Sequence, residues 1–274
     1  MGNDQILREE RDFIGIITIN NPEKRNAVNN EMLKVINDTL LDMDKNGTRV
    51  IIIKGAGDKT FCAGYDVTTF QSEGIQSKDK DFEITDEYVK NFERSNYLQI
   101  MVRTIDEISV PVIAMINGHC IGAGIDIACG CDLRYAAAGV KLGLPPLNLG
   151  IVYHPDGFRR VINVAGVARA KELLYLGENI KSDEAYELGL VNRVLPKEQL
   201  EEYTMNAART ITEKSPLAVR GTKRVLSFVF EHQELSDDRK REAMKLTMKA
   251  FQSEDSLEAV SAFLEKRKPN FKGK

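Results

Sequence analysis

Tryptophan is absent from this 274-residue chain, and histidine occurs three times. His119, His154 and His232 fall into no H-x-H or H-E-x-x-H spacing, which argues against a metal site built by the protein. Cys62, Cys120, Cys129 and Cys131 crowd into the middle of the chain without zinc-type pairing, and read as free thiols in a reducing compartment. No apolar run is long enough to cross a bilayer, and Met1 to Arg11 is polar and charged rather than a signal peptide. A cytoplasmic protein without a membrane partner is therefore expected. There is no G-x-S-x-G elbow and no Walker loop. A net charge of −3 lacks the basic excess that would make nucleic acid the main partner.

What the chain does have is an ordinary globular balance, with 42% apolar and 29% charged residues. Its length suffices for one large core with a small appendage. The most informative stretch is Asn117 to Asp132, N-G-H-C-I-G-A-G-I-D-I-A-C-G-C-D. It follows the apolar run Val110 to Ile116, which reads as a buried strand. A strand feeding a small-residue turn and then a helix leaves backbone N–H groups free at the helix start, where a ligand oxygen can approach. Asp126 falls in the first turn of that helix, so a carboxylate stands beside an oxyanion donor, an arrangement suited to proton chemistry next to a carbonyl. The same residues serve equally well in a helix that only packs closely, with Asp126 complementing its dipole. A second glycine-rich loop, Gly55 to Asp66, follows the short buried strand Val50 to Ile53 and offers another backbone donor.

Around these loops the pattern predicts a strand over Asp12 to Asn20 and a helix capped by Asn29 and running to about Asp44. Val67 to Ser95 reads as a polar surface cover with helical character from about Asp86, before a helix through Leu98, Met101, Val102, Ile105 and Ile108. Strands follow at Leu133 to Ala138 and around Val140 to Leu142. Leu144 to Gly157 is a proline-rich loop carrying Tyr153, His154 and Asp156. Short helices fit Phe158 to Val164, Ala168 to Leu176 and Ser182 to Leu188, the last capped by Ser182. A boundary is expected near Leu195, dividing a layered core (1–195) from a helical region (196–274) whose apolar stripes would pack, including against another subunit.

Four segments, Asn20 to Ala27 (N-N-P-E-K-R-N-A), Phe61 to Asp66 (F-C-A-G-Y-D), Pro111 to Asp132 and Ala262 to Phe271 (A-F-L-E-K-R-K-P-N-F), resemble the crotonase superfamily, the enoyl-CoA hydratase/isomerase family, in order and over essentially the whole chain. The resemblance implies an α/β fold, a spiral of ββα units with a helical C-terminal region, assembled as homotrimers or homohexamers. It implies an acyl-CoA substrate, with coenzyme A entering as part of that substrate and no permanently bound cofactor. By match, the thioester oxygen would be held by the N–H groups of Tyr65 and Ala123. Gly122, Ala63 and Asp66 would face the coenzyme, with Lys24 and Arg25 near its phosphates and Phe263, Lys266 and Lys268 closing over the nucleotide.

Two-glutamate hydratases of this family place one water between two carboxylates. Asp126 matches the first position, while the second aligns with Pro146, whose side chain handles no proton. Interest therefore moves to His154, which would do acid/base work near neutral pH, and to Tyr153. The segment N-L-G-I-V-Y resembles the tyrosine-bearing segment of methylmalonyl-CoA decarboxylase. The expectation is an acyl-CoA lyase or isomerase that stabilises an enolate, with Asp126 as principal acid/base and His154 or Tyr153 assisting. A decarboxylase, an acyl-CoA hydrolase and a non-catalytic acyl-CoA binder are the alternatives.

Overall fold

The computed structural model describes residues 5–70, 72–73, 83–231 and 237–270. Within them the chain runs β1 (Ile6–Arg11), β2 (Ile14–Ile19), α1 (Asn30–Lys45), β3 (Val50–Gly55), β4 (Thr60–Cys62), α2 (Asp86–Ser95), α3 (Tyr97–Glu107), β5 (Val112–Ile116), β6 (His119–Ile121), α4 (Ala123–Gly130), β7 (Leu133–Ala137) and β8 (Lys141–Gly143). It continues through α5 (Pro155–Ala165), α6 (Val167–Leu176), β9 (Ile180–Lys181), α7 (Ser182–Glu187) and β10 (Arg193–Leu195). It closes with α8 (Lys197–Thr212), α9 (Pro216–Glu231), α10 (Asp237–Phe251) and α11 (Glu254–Leu264). Part of the polar cover, 74–82, and His232 lie outside the described residues.

Strands β3, β5 and β7 lie side by side and parallel in one sheet, and β4, β6 and β8 do the same in a second. Each repeat contributes one strand to each sheet before the chain turns into helix, so it advances one place in both sheets per turn. This is the α/β spiral of ββα units that the family resemblance implies. Strand β2 is buried along its whole length, the apolar run expected of a strand covered on both faces. Helix α1 begins where Asn29 Oδ1 accepts the Met32 N–H at 2.9 Å, and Met32, Leu33, Ile36, Leu40 and Met43 form its buried face. One consequence governs the site. Because β4 and β6 pair in parallel, with Cys62 opposite Cys120, the loops leaving their C-terminal ends emerge next to each other.

The structure differs from the sequence reading at several places. Residues 6–11, to which the sequence pattern assigns no element, form an edge strand. Asp12 and Phe13, both at positive φ (51° and 65°), make the tight turn that folds it antiparallel onto β2. Ser182 does not cap α7; it is the first helical residue, and its hydroxyl accepts the Gly139 N–H at 2.9 Å. Helix α5 starts earlier than its apolar spacing suggests, at Pro155, with His154 as its N-cap. The C-terminal helices fold back on their own chain. Met244 and Met248 of α10 join Val89 of α2 in a second apolar cluster, flanked by Phe92 and Phe251. Lys223 of α9 reaches Asp132 at 2.8 Å and the Val110 carbonyl at 2.9 Å.

Candidate active site

Two asparagines hold the first glycine-rich loop in place. The Asn26 amide donates to the carbonyls of Ala56 (3.0 Å) and Thr60 (2.6 Å), while its oxygen accepts the Asn21 N–H. From the end of β5, Asn117 accepts the Gly55 N–H and donates to the Gly55 and Gly57 carbonyls. Beyond β4, Ala63 N–H donates to the Arg25 carbonyl, Val28 N–H to the Gly64 carbonyl and Asp66 N–H to the Val28 carbonyl. These bonds flank Tyr65 on both sides and leave its own N–H without a protein acceptor among the described residues.

The second loop meets the first at close range. Gly64 has φ +114°, and a Cβ there would lie 3.4 Å from the Ile121 carbonyl and 3.9 Å from the Ala123 nitrogen. At Gly124 a Cβ would come within 2.6 Å of the Cys62 carbonyl, so only glycine lets the start of α4 press against β4. Ala123 opens α4, where N–H groups have no partner one turn back, and its N–H has no protein acceptor among the described residues. The unbonded N–H groups of Tyr65 and Ala123 therefore belong to two loops in contact. The Tyr65 side chain turns elsewhere, with its hydroxyl on Glu73 and its ring 5.7 Å from that of Phe70, which meets Phe251 of α10 edge-on at 5.8 Å.

Asp126 stands in the first turn of α4 with no exposed surface. Arg160 Nε of α5 donates to its Oδ1 at 2.9 Å, and Gln99 Nε2 of α3 donates to its Oδ2 at 2.6 Å. A second guanidinium nitrogen of Arg160 donates to the Gln99 carbonyl oxygen, closing a buried ring of three side chains. Burial alone would lower the Arg160 pKa, but Asp126 holds it above its usual value. The principal acid/base expected from the sequence thus has a donor on each oxygen. Sequence reasoning missed Arg160 and Gln99. The signal available was a lone arginine on the buried face of α5, in helical register with Gly157 and Val161.

The Tyr153 hydroxyl is buried close to the Asp126 carboxylate but makes no well-formed hydrogen bond. Burial, and then the nearby Asp126 carboxylate, push its pKa well up, so it remains a phenol with a proton to donate. His154 is also drawn in, but with a different role. Its Nδ1 accepts the Asp156 N–H at 3.2 Å as the cap of α5, and burial pushes its pKa down to about 4. That direction runs against the expectation of acid/base work near neutral pH, because desolvation disfavours the imidazolium.

The coenzyme-facing expectations receive mixed placement. Lys24, half-exposed, is held by Asp66 at 2.7 Å, and Asp66 in turn accepts from both the backbone and the hydroxyl of Thr68. Arg25 adopts a left-handed conformation that turns its carbonyl toward Ala63. Gly122 donates its N–H to the Gly143 carbonyl. Phe263 is exposed near the end of α11, and Lys266 follows it at φ 56°. Pro146 is buried in a single helical turn against which α11 packs. All four cysteines are free and buried. Among the described residues, no group of three or more His, Cys, Asp or Glu could hold a metal ion, and no helix is long and apolar enough to cross a membrane.

The chain belongs to the enoyl-CoA hydratase/isomerase family, whose model matches residues 9–274. It is 34% identical over 276 residues to the crotonyl-CoA hydratase of Syntrophomonas wolfei, covering 99% of each chain. A solved structure of methylmalonyl-CoA decarboxylase in complex with 2-nitronate-propionyl-CoA superposes with a TM-score of 0.86 at 28% identity, covering 99% of both chains. The enoyl-CoA hydratase of Bacillus anthracis superposes at 0.73 with 30% identity, covering 99% of this chain and 100% of that one. The nearly equal identities and unequal superpositions mean that the path of the backbone here is more like that of the decarboxylase.

Proposed function

We propose that this protein releases CO2 from a coenzyme A thioester of the malonyl class. The carrying observation is the capture of Asp126 by Arg160 and Gln99, beside a Tyr153 hydroxyl without a partner. Hydration and isomerisation need a group that takes and returns protons. Decarboxylation needs a sink for the electron pair left when the bond between the α-carbon and the carboxylate breaks. The pair moves onto the thioester oxygen, which the N–H groups of Tyr65 and Ala123 would hold as an enolate. Preorganised donors of this kind contribute on the order of 3 kcal/mol each to the transition state. Tyr153 would donate to the departing carboxylate and hold its bond out of the thioester plane, where overlap with the developing enolate is greatest. After CO2 leaves, the α-carbon takes one proton from solvent, giving the saturated acyl-CoA.

Support also comes from the superposition on methylmalonyl-CoA decarboxylase and from Pro146 at the second acid position. Mass spectrometry of malonyl-, methylmalonyl- and ethylmalonyl-CoA after incubation with the protein should show loss of CO2. Retention of CO2 across that panel, with gain of water on crotonyl-CoA, would replace this reading by hydration. That second reading is favoured by the relative named crotonyl-CoA hydratase. Unchanged mass with shifted retention would indicate isomerisation, and free CoA would indicate hydrolysis. On the same footing, assembly as a homotrimer or homohexamer is supported by exposed Leu217, Val225 and Leu226 on α9, and sedimentation at assay concentration tests it.

A further inference from the structure

We infer that Arg160 and Gln99 decide which reaction this site performs, by withholding Asp126 as a base that would otherwise exchange the α-proton of a bound acyl-CoA. The inference rests on the reading of the Tyr65 and Ala123 N–H pair as an enolate-stabilising site, and goes beyond it by assigning reaction choice to two side chains that touch no reacting atom.

The geometry leaves little freedom. A carboxylate only accepts and a guanidinium only donates, so the Gln99 amide between them has one compatible orientation, nitrogen toward Asp126 and oxygen toward Arg160. Each Asp126 oxygen therefore has its own donor, Arg160 on one and Gln99 on the other. All three side chains are buried, so water does not compete for these bonds. With a fixed donor on each oxygen, the carboxylate is not free to turn either one toward a bound ligand. Its place in the fold is nonetheless that of a base, in the first turn of the helix that opens with the Ala123 N–H and within the electrostatic reach of the Tyr153 hydroxyl. Removing the guanidinium would leave a buried carboxylate with one neutral amide donor. Oδ1, no longer held, would then be free to take the α-proton of a bound acyl-CoA.

The released reaction is simple to balance. The α C–H bond breaks, its electron pair moves to the thioester oxygen, and the proton goes to Asp126. The acid exchanges with solvent and returns a deuteron to the α-carbon. Arg160 and Gln99 are positioning residues in this scheme.

Deuterium uptake at the α-carbon of butyryl-CoA in D2O, read by mass spectrometry, tests the inference on the full chain. Wild type should show uptake close to the rate without protein. Arg160→Gln should accelerate it on the order of a hundredfold, Gln99→Leu should give a smaller gain, and Arg160→Gln combined with Asp126→Asn should return to the wild-type rate. Circular dichroism and thermal melting establish that each variant is folded. A folded Arg160→Gln with wild-type uptake overturns the inference, as does a wild type that already exchanges at the variant's rate, or a double variant that keeps the gain. Should Arg160→Gln fail to fold, Gln99→Leu decides alone, because it keeps the Arg160–Asp126 pair; uptake no faster than wild type then overturns the inference. CO2 release by wild type is measured in parallel. Exchange gained by the variants without CO2 release by wild type defeats the decarboxylase reading and leaves this inference standing. CO2 release without any gained exchange does the reverse.

Discussion

Asp126 and Asp132 lie at the two ends of the α4 segment, and each receives a cation from a helix that comes later in the chain. The two pairs have opposite surroundings. Asp126 has no exposed surface, and its oxygens are divided between Arg160 and Gln99. Asp132 is one-third exposed, at 34%, and one of its oxygens accepts both the Val112 N–H at 2.7 Å and the Lys223 ammonium at 2.8 Å. The second pair ties α9 to the start of β5, so it fastens one element to another. The first joins three elements in the opening turn of the helix that begins with the Ala123 N–H, close to the Tyr153 hydroxyl. An ion pair of similar composition is thus a fastener in one place and a control on chemistry in the other, and what differs is its burial and the set of unsatisfied groups beside it.

The largest test of that contrast is Asp126→Leu, which leaves Arg160 buried without a counter-charge and should lower stability by about 3–5 kcal/mol in denaturant titration. Combining it with Arg160→Met should recover most of the loss, since no charge is then stranded. Acid titration should separate the two ends next. His154, on the Asp126 side, binds a proton near pH 4 when folded and near 6.5 when unfolded, so between those values the unfolded state holds more protons. Stability should therefore fall as pH drops from 6.5 to 4, by about 3 kcal/mol at most. His154→Asn, which keeps an acceptor for the Asp156 N–H, should flatten that limb of the curve. Tyr153→Phe should slow CO2 release roughly tenfold to a hundredfold in steady-state assays while leaving the melting temperature unchanged or higher, because a buried hydroxyl without a partner disappears. Smallest is Asp132→Asn, expected to remove about 1–2 kcal/mol with no change in kcat/KM. Equal effects of Asp126→Leu and Asp132→Asn on both stability and turnover would erase the distinction.

The sequence made one end of the site readable and concealed the other. Backbone donors announce themselves locally: Gly64, Gly122 and Gly124 are where a loop must turn or two backbones must touch, and the strand before each loop is continuous in sequence. The partners of Asp126 are distant. Gln99 precedes it by 27 positions and Arg160 follows it by 34, each on a helix whose apolar periodicity draws attention to other residues. No local pattern pairs a carboxylate with a cation across two helices. His154 was legible as a candidate but not as a cap, because the decisive facts are its bond to the Asp156 N–H and its partial burial, which tertiary packing determines. Strand β1 escaped for the opposite reason: only Ile6 among its residues is buried, so its pairing with β2 leaves no apolar alternation to read. Individual strands and the helical C-terminal region were visible because they depend on periods and turns that short windows carry, whereas the ββα repeat was implied by the resemblance of four segments to a known family.

The four buried thiols give this molecule a clock. Burial pushes Cys62 up to about 12 and Cys129 up to about 11, and raises Cys120 and Cys131 as well, so the reactive thiolate is scarce while the structure stays closed. Labelling by a thiol reagent at neutral pH therefore runs at the rate at which this part of the molecule opens. Cys62 ends the strand before the first donor loop, and Cys120, Cys129 and Cys131 bracket Asp126. The chemical lifetime of these sulfurs thus measures how long the two loops and the helix between them remain assembled, without any label being engineered into the chain.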